Sequence, residues 1–391
     1  MIEKTNVVII GGGIQGASIA YNLTDMDISD VVLLEKGELG SGSTGKTSAV
    51  IRQHYSNEVT IKMSMKSRII FENFLEEVGE RVKFVKTGLL ICVPEEEIKN
   101  LEGNVSLQRS LGLDVDVITP GEASRLQPGI NVNESMGFAF EQSAGYSEPY
   151  ELIQAYIKRA KENGARIITN TPVKGIKTRD GSVKSVVTDR FEVETKVVVN
   201  AAGPWTRDVG RMVGVELPIE PVSLKVGIFQ PTVRYDENRP VVLDMPNGVY
   251  FRPETGGLVL AGGGKEEEES INPDDYDDGV SFDYISDLSE KMIQRVFLFK
   301  DAGYVRGWTG IDGAPPDWHP ILGEVPGLEG FICAAGFSGH GFKLAPVVGR
   351  LISELIVDGK TSTLDISPLS VERFKTGELL GSRYVTLKYV G

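Results

Sequence analysis

The chain has 391 residues, 41% of them hydrophobic and 25% charged, an ordinary globular composition on a chain too long for one compact core, so two lobes are expected. Its net charge of −14 argues against nucleic acid or an anionic membrane surface as a partner, and Cys92 and Cys333, the two cysteines, lie in separate apolar stretches that exclude a disulfide framework, a CxxC redox pair or a zinc site. With no basic leader and no long apolar run, the expectation is a cytoplasmic protein without membrane insertion.

Residues 7–13 read VVIIGGG and run into IQGASIAYNL, which is a strand, a glycine turn and a helix. The chain must turn sharply at Gly11, leave room for a pyrophosphate at Gly13, and pack helix against strand at Gly16. The pyrophosphate then rests on the helix N-terminus, where N–H groups and the helix dipole favour anions. Glu35 closes a second apolar run, VVLLEK, nineteen residues after Gly16; it suits an adenosine ribose and would repel a 2′-phosphate. The pattern asks for FAD or NAD.

Further along, residues 58–82 have helical spacing at Ile61, Met65, Ile69 and Phe74, and FVKTGLLICV turns strand-like. EEEIKNLEGNVSLQRSLG predicts a second amphipathic helix, and GEASRLQPGI a proline-punctuated turn. A helix from Tyr150 to Asn163 stops at Gly164, followed by the strands ARIIT, VKGIKT, VKSVVT and KVVVNAAG. Segment 217–302 is rich in short strands, with a hairpin turn at ETGG, and the acidic EEEESINPDDYDDG after it reads as a solvated loop or helix start. GLEGFICAAG is a strand, SGHGF opens a helix, and LAPVVGRLISELIVDG continues it to a terminal glycine. The dinucleotide lobe is therefore assembled from separated pieces. A simple NAD domain would complete its sheet contiguously, so the interruptions favour a flavoprotein carrying an inserted substrate lobe.

On VVVNAAGPW (197–205), GSGSTGKTSAVIRQHYS (40–56), RGWTGIDGAPPDWHPILG (306–323) and AAGFSGHGFKLAPVVGRL (334–351), the chain resembles the D-amino acid oxidase-like flavoproteins, in particular their sarcosine oxidase, dimethylglycine dehydrogenase and dye-linked L-proline dehydrogenase β-subunit group. The resemblance implies an α/β fold, α+β overall: a discontinuous Rossmann-like FAD-binding domain (1–84, 146–216, 303–391) with an inserted mixed-β substrate domain (85–145, 217–302). It implies cofactor contacts from Gly11, Gly13, Ile14, Gln15, Gly16, Glu35 and Lys36, and from the loop Ser43, Thr44, Lys46, Thr47 and Ser48. Val173, Ala202, Gly203, Trp205 and Gly310 join them, as do Gly336, Ser338, Gly339, His340, Gly341, Phe342 and Lys343 around the GHGF turn. The helix N-terminus there is expected to face the flavin's pyrimidine edge, so that its N–H groups and dipole stabilise negative charge.

Arg52 and Lys343 match the family's cations for a substrate carboxylate, a planar fork and a point charge. Tyr250 matches a tyrosine on the substrate face. The tethering cysteine of monomeric sarcosine oxidase falls at Gly310, and a tyrosine two residues on falls at Asp312, so FAD is expected to be non-covalent. An oxygen-activating lysine falls at Val259, which favours an acceptor other than oxygen. The expected reaction is oxidation of a small secondary or N-methylated amino acid. Its rivals are a 2-hydroxy acid or glycerol phosphate dehydrogenase, for which His54 would be the base, and a flavin subunit needing a partner chain, marked by a hydrophobic patch on 217–302. A homo-oligomer fits either enzyme.

Overall fold

A computed structural model describes residues 4–263 and 271–384. Val7–Ile10 lies inside a six-stranded sheet ordered Ile321–Glu324, Phe331–Ala335, Val197–Asn200, Val7–Ile10, Val31–Leu34, Arg166–Ile168. All neighbours pair parallel except the outermost, Ile321–Glu324. These strands are apolar along their length because both faces are covered. Val7, Ile9, Val31 and Leu33 pack against the helices Ile14–Asp25, Pro149–Glu162 and Gly341–Asp358. Val8, Ile10, Val32 and Leu34 pack against Ile176, Val183, Val186 and Val193 of a small antiparallel sheet.

The second sheet has eight strands, ordered Gly303–Ala314, Glu220–Gln230, Leu258–Gly263, Val249–Glu254, Val241–Asp244, Leu89–Val93, Gly137–Glu141, Val115–Ile118. Val241–Asp244 pairs parallel with Leu89–Val93, and every other pair is antiparallel. One face carries the helix Phe282–Arg295, whose Arg295 meets the buried Asp244 at 2.8 Å. Gly303–Ala314, grouped by sequence with the dinucleotide pieces, pairs instead with Glu220–Gln230, and the chain returns to the first sheet only after Ala314. Nothing in its composition marks the change, since a long edge strand and a connecting strand look alike.

The helix expected over 58–82 breaks at Asn73 into Glu58–Glu72 and Phe74–Val78. The turn expected at GEASRLQPGI begins with a helix, Pro120–Leu126, held by a capping box between Thr119 and Glu122. ETGG makes its hairpin, with Gly256 and Gly257 at φ of 83° and 79°. Residues 266–270 of the acidic stretch lie outside the described residues; its remainder is a loop from Ile271 to Gly279. Among the described residues no helix is long and apolar enough to cross a membrane.

Candidate active site

Between the sheets lies a cleft of about 490 Å³. Its floor is the glycine turn. A Cβ at Gly11 would meet the Ala201 carbonyl oxygen at 2.4 Å, and one at Gly16 would meet the Gly11 carbonyl oxygen at 2.0 Å, whereas one at Gly13 finds only Thr44 Oγ1, at 3.2 Å. Gly11 and Gly16 are thus required by the protein itself. Gly13 opens on the cleft, where an added carbon would occupy ligand space. Thr44 Oγ1 accepts from the Ile14 N–H at 3.1 Å, tying the 43–48 loop to the first helix. Glu35 accepts from the Gly12 and Gly37 N–H groups at 2.6 and 2.7 Å, which fixes its carboxylate at the cleft wall. Each of its oxygens keeps a lone pair for a ribose hydroxyl.

The helices Ile14–Asp25 and Gly341–Asp358 are in close contact, since a Cβ at Gly349 would strike Ser18 Oγ at 2.1 Å. Both N-termini therefore reach the same cleft. Gln15 bridges them, donating to the Gly341 carbonyl at 2.8 Å, while its Oε1 is buried without a partner. An orphaned acceptor, a Cβ-free floor and a fixed carboxylate fit a bound dinucleotide.

Nearly all the expected site residues line this cleft: Gly11, Gly13, Ile14, Gln15, Glu35, Lys36, Ser43, Thr44, Lys46, Thr47, Ser48, Arg52, Val173, Ala202, Gly203, Trp205, Tyr250, Gly310, Ser338, Gly339, His340, Gly341, Phe342 and Lys343. Gly16, Gly336 and His54 do not. Gly16 packs helix on strand as expected, and Gly336, at φ 71° beside Pro315, shapes the turn. Neither cysteine lines the cleft, and at Gly310 an added Cβ would stand 3.2 Å from Lys46 Cβ.

Three expectations need correction. Not every N–H of SGHGF is free to face a ligand: Ser338 donates to the Gly313 carbonyl at 3.1 Å, Gly339 to Asp312 at 2.6 Å and His340 to the Phe337 carbonyl at 2.7 Å. The helix itself starts at Gly341. His54 is fully buried outside the cleft, bonded to Gln108 at 3.0 Å and the Tyr384 hydroxyl at 2.7 Å, and burial pushes its pKa down to about 3. It does not line the cleft, and burial disfavours its protonated form. Val259 points the wrong way, into the core beneath Phe282–Arg295 with Phe229 and Phe251, because alternation along its strand puts Leu260 and Gly262 on the other face.

Arg52 and Lys343 are both buried and both line the cleft. The Arg52 guanidinium lies 4.3 Å from the centre of the Tyr55 ring and donates to the His54 carbonyl. Tyr55 in turn bonds to His340 Nδ1 at 3.0 Å. Burial, and then the Arg52 charge, hold Lys343 well below the usual lysine range; burial, followed by the Lys343 and Arg52 charges, keeps His340 neutral. Tyr250 lies over Gly262, where a Cβ would strike its hydroxyl at 2.5 Å.

Several contributors went unrecognised in the sequence. The loop expected to be solvated returns to the cleft: Asp274 bonds to Lys36 at 2.5 Å and to Trp205 Nε1 at 2.9 Å, and Tyr276 bonds to Lys46 at 2.6 Å. Glu141, wholly buried, accepts from the Gln53 N–H at 3.0 Å behind Arg52, and desolvation raises its carboxyl to about 7. Asp312 lines the cleft beside the GHGF turn. Tyr55 could have been suspected from its place three residues after Arg52; Glu141 and Asp312 carry no sequence signal, being single carboxylates in unremarkable strands, and Asp274 is one of several acids in its loop.

A dinucleotide cradle whose far end opens on paired cations defines a cofactor-dependent oxidoreductase. Over residues 6–355 the chain matches the family described as FAD dependent oxidoreductase. It belongs to that family, and FAD is its cofactor. Its structure is similar to that of the L-proline dehydrogenase of P. horikoshii, with TM-score 0.89 and 32% identity over 97% of this chain and 100% of that one. The glycine oxidase of Geobacillus kaustophilus has TM-score 0.83 and 26% identity, over 95% and 99%. Mouse mitochondrial sarcosine dehydrogenase is 28% identical over 95% of this chain, which spans 42% of that longer protein.

Proposed function

We propose that the protein oxidises the C–N bond of a small secondary or N-methylated amino acid of the sarcosine, dimethylglycine or proline kind, with FAD held non-covalently. The observation that carries this reading is the presence of Arg52 and Lys343 on the wall of one cleft with Tyr250. Arg52 offers a fork to a carboxylate, Tyr55 stacks beneath it, and Lys343 adds a second donor. When bound, FAD supplies a hydride acceptor; the protein contributes orientation and charge. Substrate carboxylate would draw a proton onto Lys343, restoring the charge that burial suppresses. An amine that reacts as its neutral base needs no further proton acceptor, whereas an alcohol does. The burial of His54 outside the cleft thus favours the amine over the hydroxy acid.

The test is anaerobic bleaching of the visible flavin band by a panel of sarcosine, dimethylglycine, L- and D-proline, glycine and 2-hydroxyglutarate. Bleaching by a secondary or N-methylated amino acid is expected; bleaching by the hydroxy acid alone would reverse the assignment. A partner-dependent flavin subunit is the second reading, favoured by the exposed Val233, Phe282, Phe297 and Leu298 within 217–302. Turnover by the purified chain alone would dismiss it.

A further inference from the structure

Asp312 lines the cleft and has no part in the carboxylate clamp. It sits two residues after Gly310 on Gly303–Ala314, so both face the cleft. Its Oδ2 accepts from the Gly339 N–H at 2.6 Å and its Oδ1 from the Gly313 N–H at 2.9 Å. Lys343 reaches the carbonyl of the same Gly339, at 3.4 Å. A carboxylate and an amine are thus anchored to the two polar groups of one residue, and each Asp312 oxygen keeps a lone pair. Three other acids line the cleft, and two are held at its dinucleotide end: Glu35 by the glycine turn, and Asp274 by Lys36 and Trp205. The third, Asp208, lies on the helix that follows Trp205 and pairs with Arg211. Among the described residues, the cleft beside Lys343 therefore presents the Arg52 guanidinium, the Lys343 amine that a substrate carboxylate would recharge, and a single carboxylate, the complement of a zwitterion.

We propose that Asp312 is the counter-charge for the ammonium group of an α-amino acid, so that the cleft admits its substrate as the zwitterion and disfavours a 2-hydroxy acid of the same shape. This rests on the carboxylate clamp of Arg52 and Lys343. A hydroxy acid would leave Asp312 desolvated against an uncharged group, and such an uncompensated charge is what discriminates. The bound ammonium must still release a proton to water before its C–N bond is oxidised, a step that an ammonium takes without a protein base and a hydroxyl does not. Asp312 therefore strengthens binding while lowering the fraction of reactive neutral amine, which separates its effect on KM from its effect on kcat.

The test uses two ligands of matched shape that cannot be oxidised: 2-aminoisobutyrate and 2,2-dimethylpropanoate, which differ by an ammonium in place of a methyl. Binding to the oxidised holoenzyme is followed by perturbation of the flavin spectrum. The wild type should prefer 2-aminoisobutyrate by about tenfold or more, and Asp312→Asn, which keeps an acceptor for the Gly339 N–H, should abolish the preference without weakening the propanoate. Equal affinity of the two ligands in the wild type overturns the proposal with no variant needed, as does an equal loss of both in Asp312→Asn. If Arg52→Lys leaves both affinities untouched, the clamp itself is wrong and the proposal falls with it; if Arg52→Lys weakens both while Asp312→Asn changes neither, only the ammonium assignment fails.

Discussion

Gly13 and Gly16 stand three residues apart in one glycine turn, yet the structure assigns them opposite vulnerabilities. An alanine Cβ at Gly16 would lie 2.0 Å from the Gly11 carbonyl oxygen and 3.3 Å from Ile9 Cγ2, so the first helix must move off its strand. Overpacking costs roughly 1–3 kcal/mol, and a backbone obstacle puts Gly16→Ala near about 3 kcal/mol. With an unfolding entropy of about 2.1 cal/mol/K per residue, a chain of this size shifts by about 1.2 °C per kcal/mol, so the apoprotein Tm should fall by about 4 °C. Gly13→Ala is different. Its φ of −76° suits alanine and its nearest neighbour is a hydroxyl at 3.2 Å, so the apoprotein Tm should stay within about 1 °C of the wild type. The added methyl projects toward the cleft, so FAD should be lost from Gly13→Ala, and with it the stabilisation that ligand binding gives. Differential scanning fluorimetry of both variants, with and without added FAD, reads all four states. A Gly13→Ala apoprotein as damaged as Gly16→Ala, or one that retains full FAD through dialysis, would refute the reasoning.

Arg52→Lys keeps the charge and loses the fork, so the substrate concentration for half-maximal flavin reduction should rise by about 10- to 100-fold with a smaller change in the limiting rate; stopped-flow reduction measures both. Val259→Lys should cost on the order of 3–5 kcal/mol, because it buries a charge among Phe229, Phe251 and Leu288. Its reoxidation by oxygen per bound flavin should match the wild type, and a tenfold acceleration would show that the side chain reaches the cleft after all. Glu141, raised by burial from 4.5 to about 7, favours the folded state while protonated. That contribution is complete below about pH 4.5 and lost as pH rises through about 7, on the order of 3 kcal/mol in all. Chemical unfolding at pH 5 and pH 8 should show wild type losing most of this relative to Glu141→Gln; parallel profiles would contradict the assignment.

The local grammar of the dinucleotide lobe was legible because each residue there answers one steric demand. Gly16 and Glu35 are fixed by neighbours close in the chain, and although the obstacle at Gly11 is the distant Ala201 carbonyl, a spacing rule is enough to find all three. The second sheet was legible as strands but not as an order. Gly303–Ala314 pairs with a strand about eighty residues earlier, and only tertiary pairing reveals that. The hairpin turn at Gly256 and Gly257 could be read, yet the face presented by Val259 could not, since a gap of one residue in an alignment inverts every side chain of a strand. Arg52 was legible from its motif, but the burial of His54 two residues on was not. It depends on Gln108 and Tyr384, remote in the chain and silent in pattern.

The order of strands in the first sheet also sets a timetable for synthesis. Val7–Ile10 is made nearly two hundred residues before its neighbour Val197–Asn200, and Phe331–Ala335, on the same flank, comes later still. The helix carrying Gly341 follows all of them. A nascent chain shorter than this can hold the glycine turn but not the surfaces that enclose a nucleotide, and the loop-closure entropy of those long-range pairings must be met before any ligand rewards them. Cofactor capture therefore waits until the helix Gly341–Asp358 has been made, and before that the apolar faces of Val7–Ile10 and Val31–Leu34 lack the partners that cover them in the folded chain.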